Sequence, residues 1–168
     1  MNQTNFKGNP VNLVGDVPKA GQKAPDFKYV KEDLSEGSLY GHGNKTKVVI
    51  AVPSLDTGIC QLEAKRFNKE LSGHSDVAGV IVSKDLPFAM KRFCEAEGVD
   101  NVEIASDFRG TFTEDYKTGM LDGPLKGLSA RVVFVVNGDN EITYTQVTDD
   151  ITHEPNYEEV LEAVKALN

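Results

Sequence analysis

"KVVIAVPSLDTGICQLEAKRFNKEL", Lys47 to Leu71, decides how this chain is read. "KVVIAV" (Lys47 to Val52) is a continuous apolar run, the pattern of a strand covered on both faces. "GICQLEAKRFNKELS" (Gly58 to Ser72) reads as a helix with Leu62, Phe67 and Leu71 on or near one face. Pro53 and Gly58 punctuate the approach to it. The chain has only two cysteines, and one of them, Cys60, sits at this strand-to-helix junction shortly after Thr57.

Outward from this junction the elements alternate. "VAGVIVS" (Val77 to Ser83) is a second buried strand. "LPFAMKRFCEAEG" (Leu86 to Gly98) is a short helix, with Pro87 suited to its first turn and Gly98 to its stop. "NVEIASD" is a third strand, and "RVVFVVNGDNEITYTQV" is a hairpin turning at Asn137-Gly138-Asp139-Asn140. "NYEEVLEAVKALN" is an amphipathic helix in which Asn156 caps and Glu159 completes a box-like start. Before the junction, "KEDLSEGSLYGHGNKTK" (Lys31 to Lys47) reads as a surface loop with a short turn or strand inside it. "NFKGNPVNLVG" reads as two short strands about a Gly8-Asn9-Pro10 turn. This order predicts an α/β sandwich of thioredoxin type: a central mixed sheet flanked by helices, preceded by an N-terminal β-hairpin within residues 1–16. One domain over residues 1–168 is the expected organisation.

Bulk composition narrows the function. The chain is 39% apolar and 26% charged, as in a folded globular protein. Its net charge of −8 disfavours nucleic acid or an anionic membrane as the main partner, because both need a basic face. No apolar run reaches the length of a membrane span, and the N-terminal stretch lacks the charged and apolar regions of a secretory signal. The cytoplasm is the expected compartment. Two cysteines are too few for a disulfide scaffold, so each is inert core or redox chemistry.

A free cysteine usually just packs. Position argues otherwise for Cys60, because backbone N–H groups at a helix start are unsatisfied and favour an anion such as a thiolate. Thr57 adds a hydroxyl that donates and accepts, although a simple helix cap explains it equally. Asp56 has no chemical role, since a carboxylate near the sulfur opposes the thiolate. Arg131 heads a buried strand and needs an anionic partner there: a carboxylate, or the Cys60 thiolate itself. Phe88 and Phe93 suggest an apolar face on which Cys94 simply packs.

"PSLDTGIC" (Pro53 to Cys60) resembles the Pro-x-x-x-Thr-x-x-Cys signature of peroxiredoxins. The resemblance extends to the atypical two-cysteine branch, the bacterial thiol peroxidases. It is carried by "FKGNPV", "PSLDTGIC", "DLPFAMKRFCEAEGVDNVEIASDFR", "DGPLKGLSARVVFVV" and "ITHEPNYEEVL", in that order and nearly end to end. It implies a peroxidatic Cys60, with Pro53, Thr57 and Arg131 completing a peroxide pocket, and Cys94 as resolving cysteine. It further implies an intrachain Cys60–Cys94 disulfide reduced by a thioredoxin-like dithiol, no metal, haem or flavin, and a homodimer. Hydrogen peroxide and alkyl or lipid-like hydroperoxides are the implied substrates; Leu86, Pro87, Phe88 and Phe93 are candidate apolar lining for such a pocket, though core packing explains them as well. Two alternatives use the same cysteines without needing Thr57 and Arg131: a protein disulfide oxidoreductase and a peroxide-sensing switch.

Two departures from the family pattern stand out. Ile59 replaces a commoner valine, and Glu95 follows Cys94 where glycine is familiar, a carboxylate that disfavours the Cys94 thiolate. No C-x-x-C motif is present. A disulfide needs Cα atoms within about 7 Å, so local opening at Cys60, at Cys94 or at both is expected in each cycle. His42, His74 and His153 are scattered and offer no metal spacing with either cysteine. "DGPLKG" (Asp122 to Gly127) has no phosphate-loop pattern, and Lys126 reads as a solvated loop lysine.

Overall fold

A computed structural model describes residues 1–167. Strands β1 (Gln3–Phe6) and β2 (Asn9–Asn12) form a two-stranded hairpin. A seven-stranded sheet follows, built from β3 (Lys28–Val30), β4 (Glu36–Ser38), β5 (Thr46–Ala51), β6 (Val77–Ser83), β7 (Glu103–Ser106), β8 (Val132–Val136) and β9 (Ile142–Val147). Its spatial order is β4-β3-β7-β6-β5-β8-β9. The pairs β5–β6 and β6–β7 are parallel, and the pairs toward both edges are antiparallel, so the sheet is mixed as expected. Helices α1 (Gly58–Glu70) and α2 (Pro87–Glu97) cross between the parallel strands, the connection that parallel pairing requires. A short α3 (Phe112–Asp115) and the closing α4 (Tyr157–Lys165) complete the chain.

The continuous apolar strands divide their side chains between two layers. Val48, Ile50, Ile81, Ile104, Val133 and Val135 join the buried faces of α1, α2 and α4. Val49, Ala51, Val80, Val82, Val132 and Phe134 meet Phe27, Phe112, Tyr116 and the N-terminal segment on the other face. Covering both faces is what let these strands read as unbroken apolar runs. Because β5 and β6 run parallel, α1 and α2 begin at the same edge of the sheet, and each carries one cysteine.

Several local expectations hold. Pro87 stands in the first turn of α2, and Gly98 closes that helix in the left-handed conformation at φ 67°. Asn156 caps α4 by accepting from the Glu159 amide at 3.1 Å. Other expectations shift. The N-terminal turn lies at Lys7-Gly8, both with positive φ, while Asn9 and Pro10 already belong to β2. Leu62 is half exposed, because the buried stripe of α1 runs through Cys60, Glu63, Ala64 and Phe67. Leu86 and Phe88 are exposed, and the buried stripe of α2 uses Pro87, Met90, Phe93 and Cys94. Among the described residues no helix is long and apolar enough to cross a membrane.

Candidate active site

The junction quoted at the outset is tightly organised. The Val52 amide donates to the Val82 carbonyl at 3.0 Å, and the chain then leaves the sheet at Pro53. Asp85, just before α2, holds the next two residues: its carboxylate accepts from Ser54 Oγ and from the Leu55 amide, both at 2.7 Å. Thr57 is the residue before the first turn of α1, but its hydroxyl does not cap the helix. It donates back to the Ser54 carbonyl at 2.9 Å, leaving its lone pairs free to accept. The first bond of the helix runs from the Gln61 amide to the Thr57 carbonyl at 3.1 Å. The amides of Gly58, Ile59 and Cys60 therefore precede the hydrogen-bonded ladder, as at any helix start.

Cys60 is fully buried beneath this turn. The register of β5 and β8 pairs Ala51 with Val132, which brings Arg131 alongside the junction. Arg131 Nη1 donates to Cys60 Sγ at 3.2 Å and to Glu63 Oε1 at 2.7 Å. Its Nε and Nη2 donate to the Ile151 carbonyl at 3.0 and 2.7 Å. Both partners that the sequence offered for Arg131, a carboxylate and the Cys60 sulfur, are thus present together. Burial pulls the Arg131 pKa down, but Glu63 and Cys60 outweigh it, and the guanidinium is held above its ordinary value.

Sequence reasoning missed Glu63. It lies one turn after Cys60, is fully buried, and its Oε2 has no hydrogen-bond partner. Burial pushes its carboxyl up to about 7, against the opposing pull of Arg131, and nearby Glu154 adds to the rise. One signal was available: Glu63 falls on the helical stripe of Cys60, Ala64 and Phe67, where a carboxylate must be partnered.

A cavity of about 120 Å³ opens over the junction. Phe6, Pro53, Ile59, Leu125 and Ile151 give it apolar walls, and Thr57, Gly58, Thr152 and Arg131 complete it. Pro53, Thr57 and Arg131 thus share one cavity, and of the three Arg131 bonds Cys60, buried beneath the turn. Leu86, Pro87, Phe88 and Phe93 do not line this cavity. Its apolar walls come instead from the junction itself (Pro53, Ile59), the N-terminal hairpin (Phe6), the 122–128 loop (Leu125) and the 148–152 loop (Ile151).

Cys94 is not brought into this cluster. It lies on the buried face of α2 beside a separate cavity of about 380 Å³ that Glu32, Asp33, Asp100 and Glu103 also line. Burial pushes its thiol up to about 12, with Glu32 the larger charge contribution and Glu95 a smaller one. Both cysteines are free thiols. Helices α1 and α2 are linked side by side through a Lys65–Glu97 ion pair at 3.4 Å and through Asn68 Oδ1, which accepts the Asp100 and Asn101 amides at 3.0 and 2.6 Å. Both cysteines are buried in the one core cluster beneath α1, α2 and α4. His42 bonds Tyr29 and lies 3.5 Å from Glu103, and His153 bonds Asp149.

The family model described as Redoxin matches residues 19–161. A thiol peroxidase of Leptospira interrogans is 48% identical, covering 99% of this chain and 99% of its own. A thiol peroxidase of Aquifex aeolicus is 46% identical over 97% of this chain and 96% of its own. The crystal structure of a peroxiredoxin-like protein from Aquifex aeolicus superposes with a TM-score of 0.96 at 45% identity, covering 100% of this chain and 98% of that one. Likeness of this extent, together with a thiol seated at a helix start against a buried guanidinium, means that the chain belongs to the redoxin family and, within it, to the peroxiredoxins of the thiol peroxidase kind, a thiol-dependent peroxidase.

Proposed function

We propose that residues 1–168 act as one catalytic domain in which Cys60 is the peroxidatic cysteine. The contact of Arg131 Nη1 with Cys60 Sγ at 3.2 Å carries this reading. A guanidinium in that position stabilises the thiolate and remains in place for the charge that develops on the peroxide. The Cys60 thiolate attacks one peroxide oxygen, an S–O bond forms and the O–O bond breaks. The alkoxide or hydroxide leaves and takes up a proton, and Cys60 becomes a sulfenic acid. Thr57, whose hydroxyl proton is already directed to Ser54, accepts from the peroxide O–H. Pro53 shields the sulfur from water. The apolar walls suit hydrogen peroxide and organic hydroperoxides.

Cys94 then attacks the sulfenic sulfur, forming the intrachain disulfide and releasing water. A thioredoxin-like dithiol returns both thiols, becoming a disulfide itself. The first turn of α1, the helix around Cys94, or both open locally in each cycle. The exposed Leu86 and Phe88 at the start of α2 support a homodimer contact close to the active-site edge. The cytoplasm supplies the reductant in this scheme.

Intact mass spectrometry tests it. Reduced protein given one equivalent of cumene hydroperoxide is expected to lose the mass of two hydrogens rapidly. Cys60→Ser is expected not to react. Cys94→Ser is expected to consume one equivalent and then stop cycling. A wild-type reaction no faster than that of free cysteine refutes the assignment of Cys60.

A further inference from the structure

Asp150 is a buried carboxylate outside the reacting cluster. Its Oδ1 accepts from the Thr152 amide at 2.9 Å, from Thr152 Oγ1 at 2.6 Å and from the Lys7 amide at 3.3 Å. Its Oδ2 accepts from the Gly8 amide at 2.9 Å. Lys7 and Gly8 form the turn of the N-terminal hairpin, with φ of 50° and 84°. That left-handed turn aims two successive amides at one carboxylate. These four bonds hold Asp150 well below the usual carboxylate range, despite burial.

The hairpin grips the same loop at further points. Thr4 Oγ1 donates to the Thr148 carbonyl at 2.8 Å, and Asn5 Nδ2 donates to the Asp149 carbonyl at 2.8 Å. The Ile151 amide donates to the Asn5 carbonyl at 2.9 Å. The loop thus held presents the Ile151 carbonyl to Arg131 Nε and Nη2. With that edge of the planar guanidinium occupied, Nη1 is left facing Cys60 and Glu63. Phe6, the last residue of β1, forms one wall of the cavity.

We propose that the N-terminal hairpin is part of the catalytic apparatus, and that Asp150 is a positioning residue that clasps its turn onto the 148–152 loop so that the Ile151 carbonyl aims Arg131 at Cys60. This rests on the assignment of Cys60 and Arg131 made above. The hairpin does no chemistry. It supplies Phe6 to the cavity wall and fixes the loop whose carbonyl orients the guanidinium. Small misplacements of this kind cost catalysis steeply, because the reacting geometry is exact to a fraction of an ångström.

The test compares Asp150→Ala and Thr4→Val with wild type and with Arg131→Met. Thr4→Val keeps the side-chain shape and removes only one strap, away from the cavity. Two quantities are read on folded protein: the rate constant of Cys60 with hydrogen peroxide, and the pH profile of Cys60 alkylation by iodoacetamide. Hydrogen peroxide is used because it is too small to need the Phe6 wall. Arg131 bonds both the sulfur and Glu63, Glu154 acts on Glu63, and Tyr157 feels Glu63 and bonds Glu154, so none of these is altered in the clasp variants.

Asp150→Ala is expected to lower the peroxide rate on the order of tenfold to a hundredfold and to move the alkylation profile to higher pH, as the thiolate loses an aimed guanidinium. Thr4→Val is expected to move both in the same direction by less. If Asp150→Ala does not fold, Thr4→Val decides. A peroxide rate and alkylation profile equal to wild type in the folded fraction overturn the proposal, whatever the change in stability. If Arg131→Met itself reacts like wild type, the underlying assignment of Arg131 fails instead.

Discussion

At the scale of the residue, Arg131 joins three groups that are far apart in sequence: Cys60, Glu63 and the Ile151 carbonyl. Arg131→Met is expected to reduce peroxide turnover by about a hundredfold or more, the cost of losing a donor aimed at developing charge. It also strips a buried carboxylate of its partner. Removing one member of a buried pair destabilises by about 3–5 kcal/mol, so the variant is expected to melt lower. Adding Glu63→Gln to Arg131→Met is expected to recover much of that stability without recovering turnover, as thermal melts and stopped-flow rates on the same samples will report. Glu63 itself gives a pH signature. Burial raises its folded-state pKa to about 7, above the ordinary value of 4.5. The folded state therefore holds a proton that the unfolded state releases, and this contribution to stability is full below the lower value and is lost as pH rises through the higher one. Glu63→Gln is expected to flatten the stability profile across that window. Urea midpoints measured at successive pH values check it, and an unchanged slope refutes it.

The helices set the reactivity of the two cysteines. Helix α1 places Cys60 in its first turn, next to free amide dipoles and Arg131. Helix α2 places Cys94 past its midpoint on the buried face, where burial, Glu32 and Glu95 push the thiol up to about 12. In reduced, folded protein at pH 8 iodoacetamide is expected to label Cys60 and to spare Cys94, since only the thiolate reacts. Glu32→Gln and Glu95→Gln are each expected to raise Cys94 labelling at high pH, Glu32→Gln more. Peptide mapping after timed labelling reads the two sites separately. Equal labelling of both cysteines in wild type contradicts the geometry. The proposed disulfide step requires α2 (Pro87–Glu97) to open against its left-handed Gly98 cap and its buried stripe of Met90, Phe93 and Cys94.

Across the whole molecule, the sheet separates stability from chemistry. Cys60 belongs to the layer beneath α1, α2 and α4. Phe27, Phe112, Tyr116 and Phe134 form an aromatic cluster in the opposite layer, with ring centroids 4.5 to 5.6 Å apart. Phe134→Ala is expected to cost about 3–5 kcal/mol through the cavity it leaves. Below its melting range the variant is expected to react with peroxide at close to the wild-type rate, because no residue of that cluster touches the Cys60 pocket. Denaturant titration and a peroxide assay on one preparation test both statements. The hairpin breaks this separation, reaching from the aromatic layer, which Val11 joins, to the cavity wall at Phe6.

The apolar strands β5 to β9, the helix starts near Gly58 and Pro87 and the cap at Asn156 were legible in the sequence, because they follow from local rules: apolar runs, turn residues and caps. Strand β3 (Lys28–Val30) was not, being too short to show a period, and for Arg131 the sequence left two partners open, a carboxylate and the Cys60 sulfur. Tertiary structure alone decided the rest. Glu63 became the partner of Arg131 across 68 positions, and Asp150 became the clasp of the Lys7-Gly8 turn across more than 140. A carboxylate on a helix or in a loop reads as surface until the fold buries it, and then it must find donors wherever the chain brings them. None of the four candidate lining residues meets the cavity: Pro87 and Phe93 pack in the core, and Leu86 and Phe88 are exposed. Helical periodicity tells which residues share a face, but which face meets the sheet and which meets the Cys60 pocket is fixed only by how the helices dock.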